Sequence, residues 1–250
     1  MQSMRMVDTQ ILVHMQAGRR VMPAHATIAS VSAKEFLIMY GNKPDRDRYY
    51  VPLRLGRHSL MGPPAVLQMP AGHPFRRIGT DRLLIDFNQE HPSLVEFGSN
   101  AIASAINSAR SDLFKAGVMV LRKAEQRNLE KRFRFLIENG IRCEALEENA
   151  VGYGLDILDR FLSDYAPKGH FRNTVCDALI LGTAIRHRIP LQTEDKLLAR
   201  LTAKMFGTRF YQEGEDLVID FETPSVVRRR HGESKGYIHR GWRIAVDPRR

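Results

Sequence analysis

Short apolar segments alternate with helical segments along most of this chain, and this alternation constrains the fold more than any other feature. Apolar or β-branched strand patterns fall at residues 4–8, 27–31, 82–87, 141–146, 189–193, 208–211 and 217–221. Helical periodicity falls at residues 9–17, 32–40, 100–120, 121–139, 149–165, 174–187 and 195–203. Strands that alternate with helices predict an α/β fold built on a central parallel sheet.

The composition excludes several classes of protein. Of the 250 residues, 43% are hydrophobic and 26% are charged, which is typical of a globular protein. No apolar run approaches the roughly 18 residues of a membrane span, so we expect none. The first residues, MQSMRMVDTQ, lack the apolar core of a secretory signal, which favours a cytoplasmic protein. The two cysteines are too few for a disulfide framework or a structural zinc site.

The excess of basic residues is concentrated in two segments. The chain has 38 basic and 28 acidic residues, a formal net charge of +10. Residues 224–250 hold eight basic and two acidic residues, and residues 43–82 hold eight basic and three acidic residues. A strongly basic balance favours phosphate-rich ligands, because neutralised phosphates release counterions. Charge alone therefore favours nucleic acid as a partner over a role in solubility.

Arginine and aromatic side chains in these segments are the candidates for contact with nucleic acid. Arginine pairs with phosphate, and aromatic rings stack on bases. The candidates are Arg54, Arg57, Arg76, Arg77, Arg228, Arg229, Arg230, Arg240, Trp242 and Arg243. Two alternatives for the tail are a flexible solvated segment and a docking site for an acidic partner protein.

Four acidic residues stand where predicted strands give way to helices. Asp8 ends a strand, Glu35 and Asp177 fall in the first turns of predicted helices, and Asp195 closely follows a strand. In an open α/β sheet, residues just past the carboxyl ends of the strands meet at one crevice. Four carboxylates gathered there repel one another, and a hard divalent cation with oxygen ligands offsets that repulsion. The pattern favours a site for Mg²⁺ or Mn²⁺.

Helix capping is the alternative explanation for the same acids. Residues 32–35 and 174–177 both fit the capping-box pattern, in which the acid satisfies a free backbone N–H at a helix start. Asp8 and Asp195 equally suit simple N-caps. The recurrence at four junctions favours a shared site, although the spacing by itself leaves both interpretations open.

The segments around these acids resemble the PIN-domain nucleases, including the VapC-type toxin ribonucleases. They are residues 7–12 (VDTQIL), 28–37 (IASVSAKEFL), 177–184 (DALILGTA) and 189–195 (IPLQTED). The last two segments, with helix, strand and Thr-x-Asp in that order, are the more specific. The resemblance covers roughly residues 1–41 and 131–212.

This resemblance implies a three-layer α/β/α PIN-like fold with a central parallel sheet and metal-dependent hydrolysis of phosphodiester bonds. It implies that Asp8, Glu35, Asp177 and Asp195 are catalytic acids that bind Mg²⁺ or Mn²⁺. Thr193 becomes a supporting polar residue of the catalytic site that orients an acid or a bound water. The family also implies a homodimer.

The distance along the chain from Glu35 to Asp177 is far longer than in compact family members. We therefore predict a nuclease domain over residues 1–223 with an insertion at about 42–130, followed by a basic tail at 224–250. A competing alignment uses Asp86, which also follows a strand pattern. We favour Asp8, because no strand-Ser-x-x-Glu segment follows Asp86 at a suitable place.

The sequence thus predicts a metal-dependent nuclease, and RNA is favoured over DNA as its substrate. Its setting would be a toxin with an antitoxin partner, an RNA-processing enzyme or a defence effector. Two alternatives stay open. One is a DNA-directed or structure-specific nuclease of the same fold, and the other is a non-catalytic nucleic-acid-binding module whose acids are only caps.

Overall fold

A computed structural model describes residues 4–37, 39–40, 47–48, 82–87, 94–119, 121–166, 171–221 and 237–240. Over these ranges the strands are β1 (Arg5–Val7), β2 (Ala26–Ala29), β3 (Met39–Tyr40), β4 (Asp47–Arg48), β5 (Arg82–Asp86), β6 (Leu94–Phe97), β7 (Arg142–Glu144), β8 (Leu191–Thr193), β9 (Arg209–Glu213), β10 (Asp216–Asp220) and β11 (Tyr237–Arg240). The helices are α1 (Thr9–Gln16), α2 (Ser30–Phe36), α3 (Ser99–Asn107), α4 (Ser111–Val118), α5 (Lys123–Glu138), α6 (Glu148–Asp164), α7 (Phe171–His187) and α8 (Lys196–Phe206).

A six-stranded sheet with the order β7-β2-β1-β8-β10-β9 forms the centre of the fold. The first four strands are parallel, and β10 and β9 are antiparallel additions. Met6 of β1 pairs with Thr27 of β2 on one side and with Leu191 of β8 on the other. The prediction of an α/β fold is therefore confirmed, and the predicted parallel sheet is found in β7, β2, β1 and β8, whereas β10 and β9 run antiparallel.

Helices pack on both faces of this sheet, because neighbouring strand residues point to opposite sides. Met6 is buried in a cluster with residues of α6, α7 and α8. Val7, the next residue, is buried with residues of α1, α3, α4 and α5 on the other face. The apolar strands predicted from the sequence are thus buried on both faces, as strands of parallel sheets are.

Two helices near the predicted site begin earlier than the sequence indicates. Pairing of β2 with β7 ends at Ala29, and α2 begins at Ser30, not at Ser32. Helix α7 begins at Phe171, so Thr174 lies within it. The capping-box alternative therefore does not hold at either segment. The reason is that the end of strand pairing fixes the first turn of α2, whereas the box pattern describes only local sequence.

The second half of the predicted insertion belongs to the main core. Phe114 of α4 stacks on Phe133 of α5 with ring centroids 4.1 Å apart, and both rings are buried. Ile102 of α3 is buried in the same cluster as Val7 of β1. The predicted helix at 100–120 is divided into α3 and α4, and Ala109 between them has a positive φ of 51°.

A second sheet, with the order β11-β5-β6, unites the predicted insertion with the predicted tail. Strand β11 from the tail pairs antiparallel with β5, with Ile238 opposite Ile85. Asp86 ends β5 in this second sheet, whereas Asp8 follows β1 at the centre of the main sheet. The structure therefore places Asp86 in a different sheet from the strands that end at Asp8 and Thr193.

Helices α6 and α7 approach closely at a pair of glycines. A Cβ atom on Gly182 would lie 2.2 Å from the carbonyl oxygen of Ala150 and 2.7 Å from the backbone nitrogen of Gly154. On Gly154 it would lie 3.0 Å from the carbonyl oxygen of Ala178. This contact packs α7, which carries Asp177, against α6. None of the helices in the described ranges has the length and apolar character needed to span a membrane.

We predict that Gly182→Ala lowers the free energy of unfolding. The added methyl group meets backbone atoms of α6 that cannot turn aside, and overpacking of this kind costs about 1–3 kcal/mol. Urea unfolding followed by circular dichroism measures the effect. Asn173→Ala, at an exposed position of the same helix, is the control and should leave stability unchanged or slightly raised. Equal stability of the two variants would contradict the close helix contact.

Candidate active site

Three strand ends converge at the point where the strand order of the main sheet reverses. Strand β1 lies between β2 and β8 in the sheet. The chain places β2 and then β7 on one side of β1, and it later places β8 on the opposite side. Crevices at such reversals are where open α/β sheets bind ligands. Asp8 directly follows β1, and Thr193 is the last residue of β8.

Asp8 is both a helix cap and a partner of Thr193. One carboxylate oxygen, Oδ1, accepts the backbone N–H of Thr9 at 2.6 Å at the start of α1. The other, Oδ2, accepts the hydroxyl of Thr193 at 2.8 Å. The Asp8 carboxylate is therefore fixed from β1 and from β8 at once.

Asp195 lies next to this pair but is engaged with its own helix. Its backbone N–H donates to the hydroxyl oxygen of Thr193 at 3.1 Å. Its Oδ1 accepts the N–H groups of Leu197 and Leu198 at 2.9 and 3.0 Å, which makes it the N-cap of α8. Thr193 thus links Asp8 to the turn that carries Asp195.

Glu35 joins the group from α2. The hydroxyl of Thr9 donates to Glu35 Oε2 at 2.6 Å, so one residue connects the end of β1 to the acid of the next helix. The Cys176 thiol of α7 lies beside this carboxylate and acts to lower its pKa. Glu35 lies in the last turn of α2, whose N-cap position is Ala29. It therefore does not cap that helix.

Burial is the largest influence on the charge of Glu35 and raises the pKa of its carboxyl above the ordinary value. The hydrogen bond from Thr9 opposes this effect, while the nearby negative charge of Asp8 adds to it. A carboxylate under both burial and like-charge repulsion gains stability from a cation placed beside it.

Asp177 follows Cys176 on α7 and is half-buried. Since α7 begins at Phe171, Asp177 lies beyond the first turn, where a carboxylate does not cap. Cys176 is buried, and burial together with the charge of Glu35 raises the pKa of its thiol well above the ordinary value. The prediction that Cys176 is a buried helix residue is confirmed.

A buried ion pair beside Glu35 was not predicted from the sequence. Lys34, the residue before Glu35, binds Glu96 of β6, and both side chains are buried. Arg172 of α7 lies 3.5 Å from the other carboxylate oxygen of Glu96. The charge of Glu96 also contributes to the raised pKa of Glu35 and of Cys176. The only sequence signal was a lysine in an otherwise buried helix, which needs a partner.

Nearly all of the residues predicted to contact nucleic acid lie outside the part of the chain that the structure describes. Arg240 lies in β11, of which the backbone alone is described. The others lie outside the described residues: Arg54, Arg57, Arg76, Arg77, Arg228, Arg229, Arg230, Trp242 and Arg243.

The acids differ in how closely the structure joins them. Asp8 and Glu35 are linked through Thr9, and Asp8 and Asp195 through Thr193. Within the described part of the chain, no three His, Cys, Asp or Glu side chains form a group that could hold a metal ion. Comparison with family models, curated proteins and solved structures finds no match for the chain.

We predict that Glu35→Gln stabilises the protein increasingly as the pH rises. The folded state holds the Glu35 proton more tightly than the unfolded state does. Its contribution is therefore complete below the ordinary glutamate pKa and is lost as the pH rises through the folded pKa. Thermal unfolding between pH 4 and pH 8 should show the gap between variant and wild type widening toward pH 8.

The exposed carboxylate of Glu138 provides the comparison, since Glu138→Gln also removes one negative charge. A gap between Glu35→Gln and wild type that stays constant with pH, or that narrows toward pH 8, would contradict the raised pKa.

Proposed function

We propose that this protein is a metal-dependent nuclease of PIN-like fold that hydrolyses phosphodiester bonds, with RNA as its substrate. The observation that carries the proposal is the hydrogen-bonded link from Asp8 through Thr9 to Glu35 at the reversal point of the parallel sheet. A pair of linked, half-buried carboxylates at this crevice is costly unless it serves a positively charged ligand.

The capping alternative explains only part of this arrangement. Asp8 and Asp195 cap α1 and α8. Glu35 and Asp177 do not cap the starts of their helices, because Glu35 lies in the last turn of α2 and Asp177 lies beyond the first turn of α7. Helix capping alone does not explain why a partly buried Glu35 lies beside the negative charge of Asp8. This contrast favours the nuclease over the non-catalytic binding module.

The residues present suit Mg²⁺ or Mn²⁺ by their donor chemistry. Asp8, Glu35 and the neighbouring threonines offer only oxygen atoms, which hard cations prefer. Mg²⁺ commonly binds through one or two carboxylates together with substrate phosphates, so a closed group of three protein ligands is not required. We assign Asp8 and Glu35 as the principal ligands, with Asp177 and Asp195 as further acids of the site.

The metal, when bound, polarises the phosphate and lowers the pKa of an attacking water. The protein's own residues hold the carboxylates of Asp8 and Glu35 in position. Thr193 and the N–H of Thr9 fix both oxygens of Asp8, and the Thr9 hydroxyl orients Glu35. The basic segments at 43–82 and 224–250 bind the backbone of the nucleic acid.

We predict that Asp8→Asn and Asp177→Asn each lower Mn²⁺-dependent cleavage by about 100-fold or more, the scale of losing one electrostatic group in an active site. Asparagine is as good an N-cap as aspartate, so Asp8→Asn keeps the start of α1 and leaves the far-ultraviolet circular dichroism unchanged. Total RNA and DNA, each with Mn²⁺ and with chelator, are the substrates, and end sequencing reports cleavage.

Glu138→Gln, on the exposed end of α5, is the charge-matched control and should cleave like the wild type. Full activity in both aspartate variants would refute the proposed site. A wild type that binds RNA but cleaves neither nucleic acid with any divalent metal would instead support the binding module. Preferential cleavage of DNA would show that the substrate is DNA and would leave the proposed site unchanged.

We also predict that replacing Arg228, Arg229 and Arg230 together by glutamine weakens RNA binding and its dependence on salt. Each lost phosphate contact reduces the slope of log K against log salt by about 0.7 on a single strand. Fluorescence anisotropy across a salt series measures this slope. An unchanged slope would show that these arginines do not contact phosphate.

A further inference from the structure

The two edge strands of the main sheet, β7 and β9, differ in whether their outer backbone groups are covered. At one edge, β7 is closed by α3, because the side chain of Asn107 binds both the N–H and the carbonyl of Cys143 at 2.8 Å. The other edge is β9, which has only β10 beside it among the described strands. An open edge presents a row of backbone donors and acceptors to any strand that can pair with it.

Strand β9 is exposed along its whole length, although it contains two aromatic residues. All five residues are exposed, and Phe210 and Tyr211 retain 41% and 47% of their accessible surface. Natural edge strands are commonly protected by proline, a bulge or a central lysine. The sequence of β9, RFYQE, has none of these three and carries its charges only at the two ends.

The order of residues in β9 is self-complementary. Two copies paired antiparallel about a two-fold axis perpendicular to the sheet must place some residue opposite its own copy. Centring on Tyr211 pairs all five residues and sets Arg209 opposite Glu213 at both ends. Phe210 then lies opposite Gln212 on the other face. Opposite charges across an antiparallel pair stabilise it, and aromatic pairs do the same.

Glu213 remains available for this pairing while it contacts its own chain. Its carboxylate lies 2.6 Å from Arg5 of β1, yet half of its side chain is exposed. Arg209 is also exposed, and it forms no ion pair with any residue that the structure describes. The positive charge of Arg209 thus faces solvent at the position where a second copy would bring a negative one.

We propose that two copies of this chain pair antiparallel through β9, with Tyr211 on the two-fold axis, and so join their main sheets into one continuous sheet. The interface lies on the side of the sheet away from β7 and α3. It is independent of the proposed nuclease activity, since none of the five residues belongs to the candidate active site.

The register is tested by cysteine cross-linking in the full-length protein. Under mild oxidation Tyr211→Cys should form a disulfide-linked dimer on a non-reducing gel, since the two introduced thiols face each other. Phe210→Cys should cross-link much less, whereas Phe210→Cys combined with Gln212→Cys should recover the dimer. The native cysteines, Cys143 and Cys176, are buried, so the wild type is the background control.

The association is tested by light scattering with size-exclusion chromatography. The wild type should have about twice the chain mass of 28.6 kDa. Arg209→Glu should raise the dimer Kd at least 10-fold, because it sets two glutamates opposite each other at both ends of the pair. A monomeric wild type, an equally tight Arg209→Glu dimer, or cross-linking of Phe210→Cys as efficient as that of Tyr211→Cys would overturn the proposal.

Discussion

Parallel pairing of β1 with β2 and β8 is the constraint on which the rest of the candidate site depends. Parallel strands end at the same edge of a sheet, so Asp8, the first turn of α2 and Thr193 are brought together by strand direction alone. The hydrogen bonds of Thr9 and Thr193 then fix the carboxylates with respect to one another. Without this pairing, Glu35 would have no structural relation to Asp8.

The same acids meet two demands that the sequence pattern does not distinguish. Asp8 and Asp195 satisfy backbone donors at helix starts, a role that stabilises the fold whether or not the site binds anything. Glu35 does not accept the free N–H groups of a helix start, so no such interaction offsets the cost of burying its charge. Its pKa is raised as a result. The proposed activity therefore rests on Glu35 more than on the acids that also serve as caps.

The second sheet is tied to the candidate site through charge. Glu96 of β6 neutralises Lys34 beside Glu35 and lies near Arg172 of α7, so strands of the predicted insertion and the tail are held against the helices that carry the acids. A buried ion pair seldom adds net stability, but loss of one partner leaves a buried charge uncompensated. This makes the insertion a part of the site's surroundings.

The sequence by itself determined the alternation of strands and helices, the buried character of α7 and the placement of acids at strand ends, because apolar periodicity is a local property that folding preserves. It also indicated Thr193 as a partner of an acid. Only the tertiary structure decided that α2 begins at Ser30, that Thr9 joins Asp8 to Glu35, and that Glu96 meets Lys34. These features depend on strand pairing and on contacts between residues distant along the chain, and such contacts leave no periodic mark in the sequence.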